Sequence, residues 1–170
     1  MIRSSSELEA YLDIETTGLS PHNCQVTVVG IYLVSRTGGR VVQLVGSDVS
    51  DVNLLDALQG VNSLYTYNGS RFDLPFLEHH LRINLTGTCR HRDLMYDCWQ
   101  NNLFGGLKRV ERQLGIPRKL TEINGFDAVR LWWRYVNDYD KEALATLLEY
   151  NREDVINLKA LKERLLSGLV

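Results

Sequence analysis

The 170-residue chain is poor in cysteine and proline and contains no long apolar run. Its three cysteines, an odd number without CxxC spacing, argue against disulfides or a zinc site and predict reduced thiols that serve as packing residues. They are Cys24, Cys89 and Cys98. The three prolines are scattered, and no repeat or Pro/Gly-rich linker interrupts the chain, so we expect residues 1–170 to form a single domain.

Two further absences limit where the protein acts. The N-terminal stretch MIRSSSELEA lacks the apolar segment of a signal peptide, and no run of about 18 apolar residues follows it. We therefore expect a cytoplasmic protein with no membrane role. The formal net charge is -2 and the pI is about 6.1, so the chain is no bulk polycation, and any contact with nucleic acid must be made by a local surface.

The order of the apolar patterns predicts strands first and helices last. The stretches AYLDIE, QVTVVGIYLVS and RVVQLVG read as strands, and a hairpin at Gly38-Gly39 joins the last two. A short helix, a fourth strand (SLYTYN), a second helix and a weak fifth strand (TCRHRDL) follow, and the pattern is helical from Met95 onward. This order predicts an α/β fold: a mixed sheet with helices on both faces, whose second strand runs antiparallel to the others.

Two carboxylates interrupt the first strand in the stretch AYLDIETTGLSP. Because side chains alternate along a strand, Asp13 and Glu15 share one face, while Leu12 and Ile14 share the other. Neighbouring anions on a buried strand repel each other and lose hydration. Solvent exposure, a paired cation or a bound metal ion would make the arrangement tolerable.

A third carboxylate, Asp73, lies in the stretch YNGSRFDLPFL, in the first turn of the helix that follows the fourth strand. This position is near the carboxyl edge of the sheet, where the sites of open α/β folds gather. The structural alternative is a capping box in which Ser70 is the N-cap residue of the helix and Asp73 its partner.

A fourth carboxylate, Asp154, belongs to the last helix in the stretch LLEYNREDVINLKAL. Tyr150 precedes it by one helical turn, so both side chains share a face at the border of an apolar stripe. The alternative is a surface aspartate that is paired with Arg152 or Lys159. Taken together, the four carboxylates come from three separated elements that can converge beside the first strand, and oxygen ligands without His or Cys select Mg²⁺ or Mn²⁺.

The segments DIETTGL, NGSRFD and YNREDV resemble the three motifs of the DEDD superfamily of 3′-5′ exonucleases, which have a ribonuclease-H-like fold. The third motif, with a tyrosine four residues before its aspartate, resembles that of the tyrosine branch of the superfamily (DEDDy). Later segments, including GGLKRVERQLGI, resemble the predicted bacterial and archaeal ribonuclease-H-like exonuclease domains. The resemblance covers essentially the whole chain and implies a five-stranded sheet of order 3-2-1-4-5.

The resemblance also implies roles for the acidic residues and for two Mg²⁺ or Mn²⁺ ions. Asp13 would bridge both ions, Glu15 and Asp154 would hold the ion next to the attacking water, and Asp73 would help to hold the second. Tyr150 would orient the water. A phenol with a pKa of about 10 is a poor general base at neutral pH, so a role in positioning the water suits it better.

Substrate contacts follow from the same resemblance and from charge. Leu19 matches a position that wedges against the terminal base, and exposed N–H groups of the Thr16-Thr17-Gly18 turn are expected to meet the last nucleotide. Asn68 matches another substrate-side position. In KRVERQLGIPRK, Lys108 and Arg109 fall within one helical turn with Arg112 and are predicted either to follow a phosphate backbone or to form a solvated face.

Two other features have structural interpretations. Asp93 follows the weak fifth strand and is predicted to cap the next helix. The pair Trp132-Trp133 offers aromatic rings for base stacking, but neighbouring helix residues point about 100° apart, so packing of one ring in the core is favoured.

The sequence thus predicts a metal-dependent 3′-5′ exonuclease that releases nucleoside 5′-monophosphates from single-stranded ends of DNA or RNA. Its expected partner is nucleic acid with a single-stranded 3′ end, and no protein partner is assigned. Two other functions stay open: a catalytically silent nucleic-acid-binding or scaffold module, and a structure-selective endonuclease, because this fold hosts both kinds of nuclease.

Overall fold

The computed structural model describes residues 7–168. The predicted single domain includes residues 1–6 and 169–170, which lie outside the described residues, and that domain assignment stays a prediction. None of the helices within residues 7–168 combines the length and the apolar character that crossing a bilayer demands.

A mixed five-stranded sheet forms the centre of the fold, in the order β3-β2-β1-β4-β5. Strand β2 runs antiparallel to β1 and β3, whereas β4 is parallel to β1 and β5. The strands are β1 (Glu9–Thr16), β2 (Val26–Ser35), β3 (Gly38–Val45), β4 (Ser63–Thr66) and β5 (Arg90–Asp93). The predicted α/β class, strand order and antiparallel second strand are confirmed.

Helices cover both faces of this sheet. They are α1 (Asp51–Ala57), α2 (Asp73–Leu81), α3 (Leu94–Gln100), α4 (Leu107–Leu114), α5 (Gly125–Asp138) and α6 (Lys141–Leu166). The longest, α6, contacts β1, β2 and β3 and thereby crosses the face of the sheet next to the middle strand.

The alternation of side chains along β1 decides which residues meet α6. Leu12 and Ile14 pack into a core with α1 and α2, whereas Tyr11 packs into a second core with α3, α4 and α6. Asp13 and Glu15 continue the side that begins with Tyr11. The two acidic side chains of β1 therefore face the layer that contains α6.

The hairpin between β2 and β3 turns earlier than the sequence predicted. Ser35 pairs with Gly38, so Arg36 and Thr37 form the turn, and the prediction of a turn at Gly38-Gly39 is wrong by two residues. Glycine is needed at position 38 for its φ of 141°. At position 39, a Cβ would lie 2.5 Å from the Tyr32 hydroxyl oxygen. Gly38 and Gly39 are therefore required by the backbone and packing at the start of β3, and not by the turn itself.

Candidate active site

Three carboxylates meet where β1 passes α6. Asp13 and Glu15 extend from β1 and Asp154 from α6, and one carboxylate oxygen from each lies within 4.8 Å of the other two. Glu15 and Asp154 are buried and Asp13 is partly buried. The predicted convergence of these three residues is therefore present in the structure.

Asp73, the first residue of α2, lies next to this group. Its Oδ1 accepts a hydrogen bond of 3.0 Å from the amide of Ile14, the residue between Asp13 and Glu15. The N-cap of α2 is Phe72, without a side-chain cap hydrogen bond, so the alternative of a capping box with Ser70 is wrong. Asp73 is anchored on β1, beside the three-carboxylate group rather than inside it.

Burial raises the pKa of every carboxylate in the cluster, and negative charges nearby raise it further. Burial is the largest cause at Asp13 and Glu15, and the charges of Asp154 and Asp73 raise their pKa values further. The pKa of Asp73 rises to about 7, chiefly by burial. The pKa of Asp154 rises to about 6, because burial outweighs the opposing effect of Arg118. Without a bound cation, these carboxylates therefore ionise less readily than exposed ones, and a cation would offset the cost of their charge.

The donor set fits a hard divalent cation. Glu15 Oε1 is buried and has no hydrogen-bond partner among residues 7–168. A buried anionic oxygen without a partner is costly, and a metal ion would satisfy it. All the converging ligands are carboxylate oxygens, the ligand type that Mg²⁺ and Mn²⁺ prefer.

A buried arginine that the sequence analysis missed is paired with Asp154. The Arg118 guanidinium donates to Asp154 Oδ1 and, through two hydrogen bonds of 2.7 and 2.8 Å, to Glu111. Asn157 adds a hydrogen bond of 3.0 Å to Glu111. Arg118 follows α4 in an irregular segment, so no periodicity pointed to it.

The surface partners that were considered for Asp154 are engaged elsewhere. Arg152 is paired with Glu149, and Lys159 is paired with Glu163. The alternative of a solvent-exposed aspartate is therefore wrong, and the cation next to Asp154 is a buried one.

Tyr150 lies one turn before Asp154 and is buried, with Lys108 above its ring. The Lys108 Nζ is 4.4 Å from the ring centroid and, within the described part of the chain, has no hydrogen-bond acceptor although it is buried. Burial, and then the charge of Arg118, lower the pKa of Lys108. Burial and the neighbouring carboxylates raise the pKa of Tyr150, so the phenol is protonated at neutral pH.

Two clefts meet at Asp13, Tyr150 and Asp154. One, of about 550 Å³, has apolar walls that include Leu19, Phe72, Phe126 and Val129. The other, of about 810 Å³, has polar and basic walls that include Asn68, Lys108, Arg109 and Arg112. A ligand can therefore reach the carboxylates through the first, apolar cleft or through the second, basic cleft.

The predicted substrate residues other than Thr17 are divided between these clefts. Thr16, Gly18 and Leu19 line the apolar one, and Leu19 is 78% exposed. Thr17 lines neither. Its amide donates to the Gln25 carbonyl and its hydroxyl accepts from the Gln25 amide, both at 2.9 Å, so the expectation of an exposed N–H at Thr17 is wrong.

Phe126 is a second residue that the sequence analysis missed. It is 78% exposed at the start of α5 and lines the same apolar cleft as Leu19. The sequence marks this position only by the capping box of Asn124 and Asp127, which starts the helix there.

Asp93 has a structural role in the loop beside the site. Asp93 caps α3 by accepting from the Met95 amide, as predicted, and also accepts from the amides of Asn68 and Ser70. It thereby holds the loop that carries Asn68 at the basic cleft.

Trp132 is buried and Trp133 exposed, and neither lines the two clefts. The cysteines are free thiols.

Comparisons with known proteins agree with this fold. A family model described as the RNase_H superfamily matches residues 10–166. The uncharacterized protein MJ0365 of Methanocaldococcus jannaschii is 27% identical over 168 residues, which cover 86% of this chain and 89% of the relative.

Two solved structures share the fold at low identity. The family B DNA polymerase of Pyrobaculum calidifontis matches with a TM-score of 0.73 and 19% identity, over 95% of this chain but only 25% of the polymerase. Brucella melitensis NrnC with bound Mg²⁺ matches with a TM-score of 0.61 and 21% identity, over 96% of this chain and 73% of NrnC. NrnC has also been solved bound to pGG.

Proposed function

The chain belongs to the RNase_H superfamily, and we propose that it is a 3′-5′ exonuclease of the DEDDy type. In this proposal it hydrolyses the last phosphodiester bond of single-stranded DNA or RNA, with two Mg²⁺ or Mn²⁺ ions, and releases nucleoside 5′-monophosphates. The observation that carries the proposal is the convergence of Asp13, Glu15 and Asp154 at the junction of two clefts, with Tyr150 beside them.

The acidic residues divide between two metal positions in this proposal. Asp13 would contribute to both, Glu15 and Asp154 to one, and Asp73, which accepts a hydrogen bond from the Ile14 amide, to the other. Divalent ions at such a site lower the pKa of a water molecule and neutralise charge on the phosphate. The buried Glu15 Oε1, which has no hydrogen-bond partner in the part of the chain that the structure describes, and the raised pKa values of the cluster support this assignment.

Tyr150 orients the attacking water through its hydroxyl group. Because its pKa is raised, the phenol keeps its proton and serves as a hydrogen-bonding group rather than as a base. Lys108 above its ring restricts the ring position. The ammonium group of Lys108 also lacks an acceptor within the described chain, which suits a contact to the scissile phosphate.

The two clefts suit the two parts of a single strand. Leu19 and Phe126, both 78% exposed, provide apolar surfaces for the terminal base. Arg109, Arg112 and Asn68 line the other cleft and suit the phosphates and sugars that precede it. Brucella melitensis NrnC has been solved with Mg²⁺ and with pGG. A metal ion and a nucleic-acid strand are the two ligands that this proposal gives to the present chain.

We would test the proposal with 5′-labelled single-stranded DNA and RNA, incubated with Mn²⁺ or with chelator and resolved at single-nucleotide resolution. The expected result is a metal-dependent ladder that shortens from the 3′ end, and the faster substrate identifies the preferred sugar. A circular single-stranded DNA is the control, because it has no end. Cutting of the circle would favour an endonuclease, and binding without cutting would favour the silent module.

Phe126→Ala is expected to raise the KM for a single-stranded oligonucleotide by about tenfold, because base stacking on an aromatic ring contributes about 1–3 kcal/mol. The kcat should change far less, since Phe126 lies outside the carboxylate cluster. Steady-state kinetics on one substrate length give both constants. The matched control is Tyr139→Ala, which removes an aromatic ring that is 83% exposed and lines neither cleft. Equal KM values for the two variants would contradict the stacking role.

A further inference from the structure

Asp13, Gly30 and Gln43 form a row across three neighbouring strands. Asp13 pairs with Gly30, and Gly30 pairs with Gln43, so the three residues share one register and one face of the sheet. The middle position has no side chain, and this leaves a slot between the carboxylate of Asp13 and the amide of Gln43.

The side chain of Asn151, on α6, fills this slot. A Cβ at position 30 would lie 2.0 Å from Asn151 Oδ1 and 2.9 Å from its Nδ2, so the amide lies directly on the glycine. Asn151 is fully buried. Its Nδ2 donates to the main-chain oxygen and to Oδ2 of Asp13, both at 3.2 Å. Asn151 therefore holds Asp13 through the backbone and the carboxylate at once.

Gln43 determines which way the Asn151 amide faces. Its Nε2 donates to Asn151 Oδ1 at 3.0 Å and to the carbonyl of Leu148 at 2.8 Å. The Leu148 carbonyl can only accept, so it fixes the Nε2 of Gln43 toward α6. Asn151 must then present its oxygen to Gln43 and its NH₂ group to Asp13. The opposite orientation would place a carbonyl oxygen against the carboxylate.

We propose that Gln43 is a positioning residue for Asp13 and acts through Asn151. Gln43 and Asn151 form a relay that holds the Asp13 carboxylate through its Oδ2, and this would keep Asp13 oriented toward a cation that Glu15 and Asp154 would also hold. Outer hydrogen bonds of this kind orient metal ligands and typically affect metal affinity on the order of 10–100-fold. The inference rests on the proposed function, because it takes Asp13 as a metal ligand.

The test measures Mn²⁺ binding by titration calorimetry without nucleic acid. Gln43→Met keeps the length of the side chain but removes both N–H donors, and it should weaken Mn²⁺ binding on the order of tenfold. Gln59→Met is the matched control, since Gln59 is exposed and lines neither cleft, and it should bind Mn²⁺ like the wild type. Thermal unfolding in chelator checks that each variant is folded.

The decisive comparison uses Asn151→Ala as the background. Because Gln43 acts only through Asn151, adding Gln43→Met to Asn151→Ala should weaken Mn²⁺ binding no further. Wild-type affinity in Gln43→Met would overturn the inference, and so would an equal loss in both backgrounds. Exonuclease activity is measured separately. If Mn²⁺ binding responds as expected but the wild type digests no strand, the relay stands and the proposed function fails. If the wild type is active while Gln43→Met binds Mn²⁺ normally, only the relay fails.

Discussion

Asp13→Asn is expected to lower kcat/KM on single-stranded oligonucleotides by a factor on the order of 1,000, because it removes the one carboxylate that is assigned to both metal positions. The amide has nearly the shape of the carboxylate and still offers an oxygen to Asn151, so the relay across the sheet is preserved. It lacks the negative charge that strengthens the binding of a divalent cation. The decrease is measured with the 5′-labelled substrates in Mn²⁺. Undiminished cleavage by the folded variant would refute the role of Asp13.

The same replacement is expected to stabilise the metal-free protein. Asp13 has a pKa well above its ordinary value because it is buried beside Asp154, Asp73 and Glu15. Removing one of these charges relieves repulsion, and each kcal/mol of stabilisation raises the Tm by about 2–4 °C in a chain of this size. Thermal unfolding in chelator at pH 8 measures this effect. A lower Tm for Asp13→Asn would contradict the repulsive cluster.

In chelator, the stability of the wild-type protein is expected to fall as the pH rises. A carboxyl group whose pKa is raised by folding binds protons in the native state that the unfolded chain has already lost, so the wild type loses stability as the pH rises. The loss should extend from about pH 4, the unfolded value, through the pKa of Asp154, about 6, and that of Asp73, about 7. In Asp13→Asn the loss should be smaller, because one like charge is gone.

The sequence predicted those parts of the site that depend on local periodicity. Alternation along β1 placed Asp13 and Glu15 on one face, and the helical spacing of four placed Tyr150 and Asp154 together. The direction of each strand relative to its neighbours was predicted from the hairpin and crossover connections. These features are set within one element or between neighbouring elements, where backbone geometry alone fixes the outcome.

The remaining parts depend on contacts between distant segments. Gln43 and Asn151 are 108 residues apart, and neither has a local signal that differs from an ordinary polar surface residue. Arg118 was counted only as one of several basic residues of its segment, although the fold buries it between Glu111 and Asp154. Which polar groups become buried depends on the packing of α4 and α6, and no period in the sequence encodes it.

Arg118→Met is expected to be strongly destabilising, by about 3–5 kcal/mol, because it leaves buried carboxylates without their cation. Glu111 loses both hydrogen bonds from the guanidinium and, among residues 7–168, keeps only the one from Asn157. Methionine fills much of the same volume, so the loss reports charge and hydrogen bonding more than a cavity. Urea unfolding in chelator gives the free energy.

The matched control for this loss is Arg130→Met, which breaks an exposed ion pair with Asp127. Exposed pairs contribute about 0–1 kcal/mol, so this variant should be close to the wild type. Adding Glu111→Gln to Arg118→Met should recover part of the lost stability, because a neutral amide is less costly to bury than an unpaired carboxylate. If Arg118→Met cost no more than Arg130→Met, the buried pair would have no structural importance.

Arg118 also connects stability with metal binding. Its guanidinium donates to Oδ1 of Asp154, and we expect it to compete there with a divalent cation, because two positive charges at one carboxylate repel each other. In Arg118→Met, Mn²⁺ should therefore restore more stability than it adds to the wild type, since it neutralises a carboxylate that is otherwise unpaired. Urea unfolding with and without Mn²⁺ measures this difference. An equal increase in both proteins would show that Arg118 and the metal ion bind Asp154 independently.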